Sequence, residues 1–203
     1  MSRSRSTIAV RIILLCTLAA LAVPAASNTP TAPTFAVVPG QSSFKFFVKA
    51  SMSVTGTFDS WNAKLTFAND DPASGLLDIK IRADSVNTGS GLKDRKMKGD
   101  DFFAADKYPL IGFRSTKIVK TGANTYEVDG DFTIRGVTKP EKLTLSVSGA
   151  GTASGTISGT MAFNRKDYGI NGQIPLVRIA DEVDVTMDLK VTRTSGPPLK
   201  STT

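Results

Sequence analysis

The sequence predicts an all-β protein in which eight antiparallel strands form one sheet that closes into a barrel or a sandwich. Apolar and polar residues alternate with a period of two in eight separate segments, which is typical of strands with one buried face. Short polar turns join these segments and favour antiparallel pairing. The 203 residues are 40% hydrophobic and 21% charged, a composition that excludes general disorder and suits one domain.

The eight segments follow one another between residues 44 and 191. Their alternating apolar positions, together with two glycines in phase with them, are Phe44, Phe46 and Val48; Trp61, Ala63, Leu65 and Phe67; Leu77, Ile79 and Ile81; Ile111 and Phe113; Tyr126, Val128, Gly130, Phe132 and Ile134; Leu143, Leu145 and Val147; Ile157, Gly159, Met161 and Phe163; and Val183, Val185, Met187, Leu189 and Val191. The other face of each segment carries mostly Lys, Asp, Thr or Ser, so we expect one buried face per strand.

One irregularity precedes the second segment. Val54 and Phe58 alternate with the opposite parity to Trp61 and the residues that follow it. A one-residue slip near Asp59 and Ser60 accounts for this change and predicts a bulge or a tight turn there.

The interior of the predicted barrel is either filled or hollow. Gly130 and Gly159 are in phase with inward residues, where glycine lets a strand coil sharply or leaves space inside. An antiparallel barrel of about eight strands can enclose one elongated apolar ligand, but it can equally be filled by its own side chains. Alternation does not separate these two readings, and both stay open at this point.

The alternation is interrupted over residues 90–108, where the sequence predicts one or two short helices. Their expected buried anchors are Leu92, Met97, Phe102 and Phe103.

The densest basic group of the chain lies in the same stretch. It consists of Lys93, Arg95, Lys96 and Lys98. A solvated helix face is the ordinary explanation, and the alternative is transient contact with an anionic head group or a membrane surface.

The composition excludes much of the common catalytic chemistry. Histidine is absent, which excludes His-dependent triads and imidazole metal sites. The single cysteine, Cys16, lies in a segment that we expect to be removed, so the mature chain would have no disulfide or thiolate nucleophile. Neighbouring carboxylates such as Asp181 and Glu182 point to opposite faces of a strand and do not converge as an acid–base pair. We therefore predict no catalytic residue, no metal site and no cofactor.

The beginning of the chain predicts an export signal over residues 1–27. Three arginines precede the uncharged apolar stretch 12–23, and small residues follow it, with cleavage expected between residues 24 and 28. Twelve apolar residues are fewer than the roughly 20 that a membrane-spanning anchor needs. We predict a flexible leader over residues 28–34, one barrel domain over 35–193 and a disordered tail over 194–203.

Removal of the signal lowers the formal net charge from +7 to +4, because residues 1–27 hold three arginines and no acidic residue. The remaining charge is spread along the chain, whereas nucleic-acid-binding proteins concentrate it in stripes. We therefore expect no nucleic acid as a partner.

Four stretches resemble the signature of the YceI-like family of exported proteins. They are SVNTGSGLKDRKMKGDDFFAADKYPLIGFRS (85–115), YEVDGDFTIRGVTKPEKLTL (126–145), FNRKDYGI (163–170) and DEVDVTMDL (181–189). Their order and spacing also match, and the resemblance covers roughly residues 35–192. It implies an extended lipocalin-like antiparallel barrel, exported to the periplasm, whose hydrophobic lumen binds a polyisoprenoid chain such as a quinone tail or a polyprenyl phosphate. The resemblance thus favours the hollow interior and a carrier or store without catalysis.

The chain departs from the family pattern at its histidines. The family often has His in its first strand and at the end of an R-D-x-H stretch, but those regions are GQSSFKFFVK and KDRK here. Lys93 therefore replaces Arg, and Lys96 replaces His. A metal-linked or pH-linked role of those histidines cannot be transferred to this chain.

We predict that the mature protein binds, stores or transports an isoprenoid lipid in the periplasm. The candidate lumen-lining residues are Phe44, Phe46, Phe67, Ile79, Phe113, Phe132, Met161, Phe163 and Met187. Arg165 is a candidate head-group contact, although a structural pair with Asp167 is the ordinary role for an arginine at a strand end. The alternatives are a solid-core interaction module that acts through loops such as 90–108, and, last, an enzyme with an Asp or Tyr acid.

Overall fold

The computed structural model describes residues 32–174 and 176–200, which form eleven strands, one α-helix and four short 3₁₀ turns. The predicted signal peptide and most of the predicted leader lie outside the described residues. The elements are β1 (Thr34–Val37), β2 (Ser43–Ala50), β3 (Val54–Phe58), β4 (Trp61–Phe67), β5 (Gly75–Arg82), β6 (Val86–Asn87), α1 (Gly91–Lys98), β7 (Leu110–Lys120), β8 (Thr125–Ile134), β9 (Val137–Ser148), β10 (Ser154–Asn164) and β11 (Ile179–Ser195).

All strands pair antiparallel in one sheet, in the order β4-β5-β7-β8-β9-β10-β11-β2-β3-β6, and β1 adds to β11. The two ends of this order meet, because β3 and β4 are halves of one bent strand and β5 and β6 are halves of another. At the bend, the Asp59 N–H donates to the Ser85 carbonyl at 3.0 Å and the Arg82 N–H donates to the Ser60 carbonyl at 2.9 Å. The sheet therefore closes into an antiparallel barrel of eight long strands, as predicted.

The bend also explains the change of parity in the sequence. Gly56 of β3 is buried and Ala63 of β4 is buried, so the inward positions are even-numbered before the bend and odd-numbered after it. The two residues between the strands, Asp59 and Ser60, are exposed and take up the slip. The predicted one-residue slip is confirmed, and it takes the form of a bend between the two halves of one strand.

One half of the barrel interior is filled by side chains. A Cβ atom on Gly159 would lie 2.8 Å from the Met187 Cε, and one on Gly130 would lie 2.9 Å from the Phe113 Cε1. Real Cβ atoms do not approach this closely, so each glycine provides the room that a larger neighbour occupies. Met161 and Leu189 are buried in the same half.

The insertion over residues 90–108 contains one helix, α1, followed by turns up to residue 107. Phe102 and Phe103 are buried as expected, and Met97 packs half-buried against the core. The expectation for Leu92 is wrong, because its side chain is 74% exposed on the helix surface. The Arg135 guanidinium donates to the Phe102 carbonyl at 2.7 Å and so ties the insertion to the barrel.

The sheet and its contacts extend further toward both ends of the described residues than the sequence predicts. β11 continues to Ser195, where it pairs with Thr34 of β1, so these parts of the predicted leader and tail belong to the sheet. Leu199 is buried, and the Lys200 N–H donates to the Asp70 carbonyl at 2.8 Å. A single apolar residue without periodic neighbours gives no sequence signal, which is why this contact was not predicted.

Candidate functional site

The other half of the barrel interior is an open cavity of about 360 Å³. This volume falls within the roughly 300–1,000 Å³ that is typical of small-molecule sites. Three lining residues are charged and all the others are apolar. The lining residues are Phe46, Val48, Ala50, Met52, Val54, Phe58, Ile81, Leu92, Lys93, Lys96, Met97, Phe102, Phe103, Ile111, Phe132, Ile134, Phe163, Arg165, Ile170, Ile174, Val177, Ile179, Val183 and Val185.

Three aromatic rings form the rigid part of the cavity wall. The rings of Phe132 and Phe163 pack against each other with their centroids 4.9 Å apart, and both line the cavity. Tyr168 packs edge-on against both, with ring centroids 5.3 Å from Phe132 and 5.4 Å from Phe163. Tyr168 is fully buried, so it supports the two rings from behind. Edge-to-face packing of this kind fixes the ring positions and presents a flat apolar surface to a ligand.

The mouth of the cavity is formed by three separate chain segments. Met52 lies in the turn between β2 and β3, Leu92 lies on α1, and Ile174 lies in the loop before β11. Met52 and Leu92 are 70% and 74% exposed, which places them at the solvent end of the cavity. Lys93 and Lys96 of α1 are also exposed lining residues, so the mouth carries positive charge above an apolar interior.

Lys96 is held in place by contacts within the insertion. Its Nζ lies 2.9 Å from Asp101 Oδ2 and 5.8 Å from the centre of the Phe102 ring. Exposed ion pairs of this kind are weak, so the ammonium group can exchange this carboxylate for another anion.

Arg165 lines the cavity, but its guanidinium is largely committed to the protein. Its Nε donates to the Ala180 carbonyl at 2.9 Å, and its Nη1 donates to the carbonyls of Ile170 at 2.7 Å and Gly172 at 3.2 Å. Its Nη2 lies 3.2 Å from Asp181 Oδ1. The arginine therefore joins two stretches of the rim. One nitrogen, Nη2, also has a second N–H that can reach a ligand.

The expectation that Arg165 pairs with Asp167 is wrong. Asp167 is instead 3.9 Å from Lys139, whereas Asp181 takes both Arg165 and Lys166, the latter at 2.8 Å. The two cations, Lys166 first, hold the pKa of Asp181 below its usual range. Proximity in sequence did not predict this pair, because Asp181 lies 16 residues after Arg165, on β11.

The tyrosine behind the wall is kept neutral. Burial, and then the hydrogen bond that its hydroxyl donates to Glu141 Oε1 at 2.7 Å, raise the pKa of Tyr168 well above its ordinary value. No group of three or more potential metal-ligating side chains occurs in the described part of the chain.

The structure divides the nine predicted lining residues into three groups. Phe46, Phe132 and Phe163 line the cavity. Five belong to the buried core but not to the cavity wall, and these are Phe44, Ile79, Phe113, Met161 and Met187. Phe67 lies at the opposite end, in a pocket of only about 30 Å³ that it shares with Phe35 and Leu199. Contact between any of the nine and a ligand stays a prediction.

Many cavity residues were not among the predicted ones. Val183, Val185 and Ile134 belong to predicted strands, and only their position at one end of the barrel distinguishes them from core residues. Ile170, Ile174 and Val177 lie in an irregular stretch, and a loop without periodicity carries no signal for an inward face.

No helix within the described residues combines the length and the apolar content that crossing a bilayer requires.

Comparison with known proteins gives a consistent result. A family model described as the YceI-like domain matches residues 35–191. A UPF0312 protein of Pseudomonas syringae pv. tomato is 30% identical over 140 residues, which cover 66% of this chain and 72% of the relative. A UPF0312 protein of Photorhabdus laumondii is 33% identical over 117 residues, which cover 56% of this chain and 60% of the relative.

Solved structures share the fold. The crystal structure of Burkholderia cenocepacia BcnA matches with a TM-score of 0.70 and 26% identity, over 76% of this chain and 99% of that one. The Campylobacter jejuni YCEI protein matches with a TM-score of 0.60 and 26% identity, over 70% of this chain and 85% of that one. A polyisoprenoid binding domain from Saccharophagus degradans matches with a TM-score of 0.62 over 79% of this chain and 99% of that one, but at 14% identity it supports the fold alone.

Proposed function

The chain belongs to the YceI-like domain family, and on that premise we propose that it binds one isoprenoid lipid with the lipid's apolar chain in the barrel cavity. The observation that carries this proposal is the open cavity of about 360 Å³, whose wall is apolar except for three cations. The proposed ligand class is the one named for the Saccharophagus degradans polyisoprenoid binding domain, which shares the fold.

The wall suits a branched apolar chain. The flat rings of Phe132 and Phe163 offer broad contact, and the flexible side chain of Met97 can fill the gaps between methyl branches. A fully extended straight chain would leave such gaps, whereas the methyl groups of an isoprenoid occupy them. Burial of this chain away from water supplies the binding free energy.

The head group of the ligand is proposed to lie at the mouth. Lys93 and Lys96 are the charged groups of the exposed rim, and Arg165, which also lines the cavity, keeps one N–H of Nη2 beyond the one donated to Asp181. A quinone carbonyl accepts hydrogen bonds from these donors, and a polyprenyl phosphate gains charge-assisted ones. The site has no role for a chemical step in this proposal, so the protein acts as a carrier or store.

The proposed place of action is the periplasm. The basic, apolar and small-residue order of residues 1–27 supports export with removal of the signal. Intact-mass measurement of the protein from the periplasmic fraction tests this. A chain that begins between residues 25 and 28 and lacks Cys16 is expected, and a chain that retains Cys16 contradicts the proposal.

Ligand binding is tested by organic extraction of the purified protein followed by mass spectrometry. An isoprenoid lipid is expected in the extract of the wild type. The Ala50→Trp variant should lack it, because Ala50 lines the cavity at the end of β2 and an indole there fills the space. Ala162→Trp is the matched control, because Ala162 is exposed on the outer face of β10.

The absence of isoprenoid from all three extracts, together with no binding of added quinone, would contradict the proposal. That result would favour an interaction module that acts through its loops.

A further inference from the structure

The most exposed apolar side chains of the described residues gather at one place. Leu176 is fully exposed, Leu92 is 74% exposed and Met52 is 70% exposed, whereas the next large apolar residue, Leu110, is 49% exposed. Met52 and Leu92 line the cavity mouth, and Leu176 lies beside Val177, which also lines the cavity. Single exposed apolar residues are ordinary on a protein surface, but three on separate segments around one opening indicate an interaction surface.

The turn that carries Leu176 is strained. The Val177 N–H donates to the Ile174 carbonyl at 3.0 Å and closes a tight turn, in which Leu176 has a φ of +67°. Leucine disfavours this left-handed conformation, and glycine is the usual residue there. The chain thus keeps a leucine where the backbone favours glycine and where the side chain does not pack within the protein. This indicates that Leu176 contacts another molecule.

The segments that carry these apolar side chains are basic. The segments 49–53, 91–98 and 171–178 together contain six basic residues and one acidic residue. The acidic residue, Asp94, accepts hydrogen bonds from the Thr88 N–H at 2.8 Å and from the Thr88 Oγ1 at 2.7 Å. Its carboxylate is therefore turned toward the loop that precedes α1. The next two carboxylates along the chain are also paired, Asp100 with Lys107 and Asp101 with Lys96.

We propose that this mouth face, formed by residues 49–53, 91–98, 171–174 and 176–178, docks on an anionic lipid bilayer. The side chains of Met52, Leu92 and Leu176 enter the head-group layer, while the lysines and arginines between them contact lipid phosphates. This orientation places the cavity opening against the bilayer, so an isoprenoid chain passes between the two without crossing water. The biological purpose of docking depends on the proposed lipid-binding function.

A bilayer fits the mouth face better than a protein partner. The apolar side chains project singly from three segments and are separated by basic residues, so they do not form the continuous apolar patch that a protein interface core needs. A bilayer accepts separate apolar anchors, and its anionic surface attracts each basic residue near it.

The test is flotation of the lipid-stripped, full-length mature protein with two kinds of vesicle. One contains phosphatidylcholine alone, and the other contains phosphatidylcholine and phosphatidylglycerol. We expect binding to the anionic vesicles, weaker binding to the neutral ones, and loss of the difference as salt is raised. Equal binding to both kinds of vesicle, or to neither, would overturn the docking proposal.

Four variants locate the contact. Leu92→Ser and Leu176→Gly should each weaken binding to anionic vesicles about tenfold, because each removes one inserted leucine. Lys93→Gln should weaken it about fivefold. Val119→Ser is the matched apolar control, because Val119 is 38% exposed near the opposite end of the barrel, and it should leave binding unchanged.

Leu176→Gly carries a further readout. Because glycine suits the positive φ of this position, the melting temperature should stay the same or rise while vesicle binding falls. A structural role for Leu176 would lower the melting temperature instead, and that result would count against docking. A second copy of the chain as the occupant would appear as a dimer in light scattering that Leu92→Ser dissolves, and this too would overturn the proposal.

The docking and lipid-binding proposals fail in different ways. Affinity for a water-soluble short-chain isoprenoid quinone, measured without vesicles, should be the same in the wild type and in Leu176→Gly. If the wild type binds anionic vesicles but neither quinone nor an extracted isoprenoid, the docking proposal stands and the lipid-binding proposal is contradicted. If the wild type binds quinone but no vesicles, only the docking proposal is contradicted.

Discussion

The hydroxyl group of Tyr168 donates a hydrogen bond to Glu141 Oε1 at 2.7 Å, directly behind the aromatic wall of the cavity. The ring of Tyr168 supports Phe132 and Phe163, and this bond anchors the ring to β9. The anchor holds only while the hydroxyl keeps its proton. Tyr168 therefore links the rigidity of the wall to a group whose pKa is raised by burial.

This link predicts a loss of stability at high pH. A tyrosine in the unfolded chain ionises near its ordinary pKa of about 10, whereas Tyr168 stays protonated in the folded protein. The unfolded state then binds fewer protons than the folded state above about pH 10, so the free energy of unfolding falls as the pH rises. Denaturant unfolding between about pH 9 and 11 should show this decline, and Tyr168→Phe should make it shallower.

Tyr108 provides the control for this measurement, because its side chain is 38% exposed. Tyr108→Phe should keep the full decline of the wild type. An equal decline in Tyr168→Phe and the wild type would show that the buried hydroxyl does not control stability in this range. At neutral pH, Tyr168→Phe should cost about 1 kcal/mol through the lost hydrogen bond.

Arg165 is predicted to hold the rim of the cavity. Arg165→Met removes the donors that reach three carbonyls, those of Ile170, Gly172 and Ala180. Buried carbonyls without donors are expensive, so the variant should lose about 2–4 kcal/mol of stability. Hydrogen exchange should also quicken at residues 170–181 before it quickens elsewhere.

Lys166→Gln is the control for Arg165, since Lys166 contacts the same carboxylate, Asp181, at 2.8 Å but from the surface. Loss of this exposed ion pair should cost less than about 1 kcal/mol. Equal effects of the two substitutions would mean that the arginine contributes only its charge, and that the three carbonyl contacts do not hold the rim.

The packed half of the barrel should not tolerate a larger residue at Gly130. A Cβ atom there would lie 2.8 Å from the Arg114 carbonyl oxygen and against the Phe113 ring. Gly130→Ala should therefore destabilise the protein by about 1–3 kcal/mol. Gly112 lies in the neighbouring strand, and an added Cβ would meet its nearest atom, the Ile79 carbonyl oxygen, at 3.7 Å.

Gly112→Ala is thus the matched control, and it should change the free energy of unfolding by less than about 1 kcal/mol. Urea unfolding of both variants measures the difference. Similar values for the two would show that the Phe113 ring moves aside readily and that Gly130 is not required for packing.

The strands were predictable because each has one face toward the barrel interior and one toward solvent, so apolar and polar residues alternate along it with a period of two. Even the bend at Asp59 and Ser60 was predictable, because the inward apolar positions change there from even to odd numbers. Which end of the barrel is hollow was not predictable in this way. Phe113 and Phe163 have the same alternation, and their surroundings differ only because strand register brings Gly130 to one and the cavity to the other.

The mouth of the cavity was even less predictable from the sequence. Ile174 and Val177 lie in an irregular loop, and their role depends on contacts with β2, α1 and β11 that are distant in sequence. The basic group on α1 was visible from composition, but its position beside the opening required the fold. The exposure of Leu92 was not visible either, because a leucine near other apolar residues is ordinarily expected inside.

Phe113 and Phe132 offer the sharpest test of the two halves. They lie directly opposite each other on β7 and β8, and they are almost equally buried, at 5% and 6% exposure. Only Phe132 lines the cavity, however, while the ring of Phe113 lies against Gly130 in the packed half. Phe113→Ala should cost about 3–5 kcal/mol in lipid-free protein, because it opens a void among close-packed neighbours. Phe132→Ala should cost less, because its ring already borders empty space on one side, yet it should clearly weaken quinone binding. Unfolding of the lipid-free variants, beside their quinone affinities, gives both quantities. A large stability loss with unchanged affinity for Phe132→Ala would assign that ring to the core and move the ligand elsewhere in the cavity.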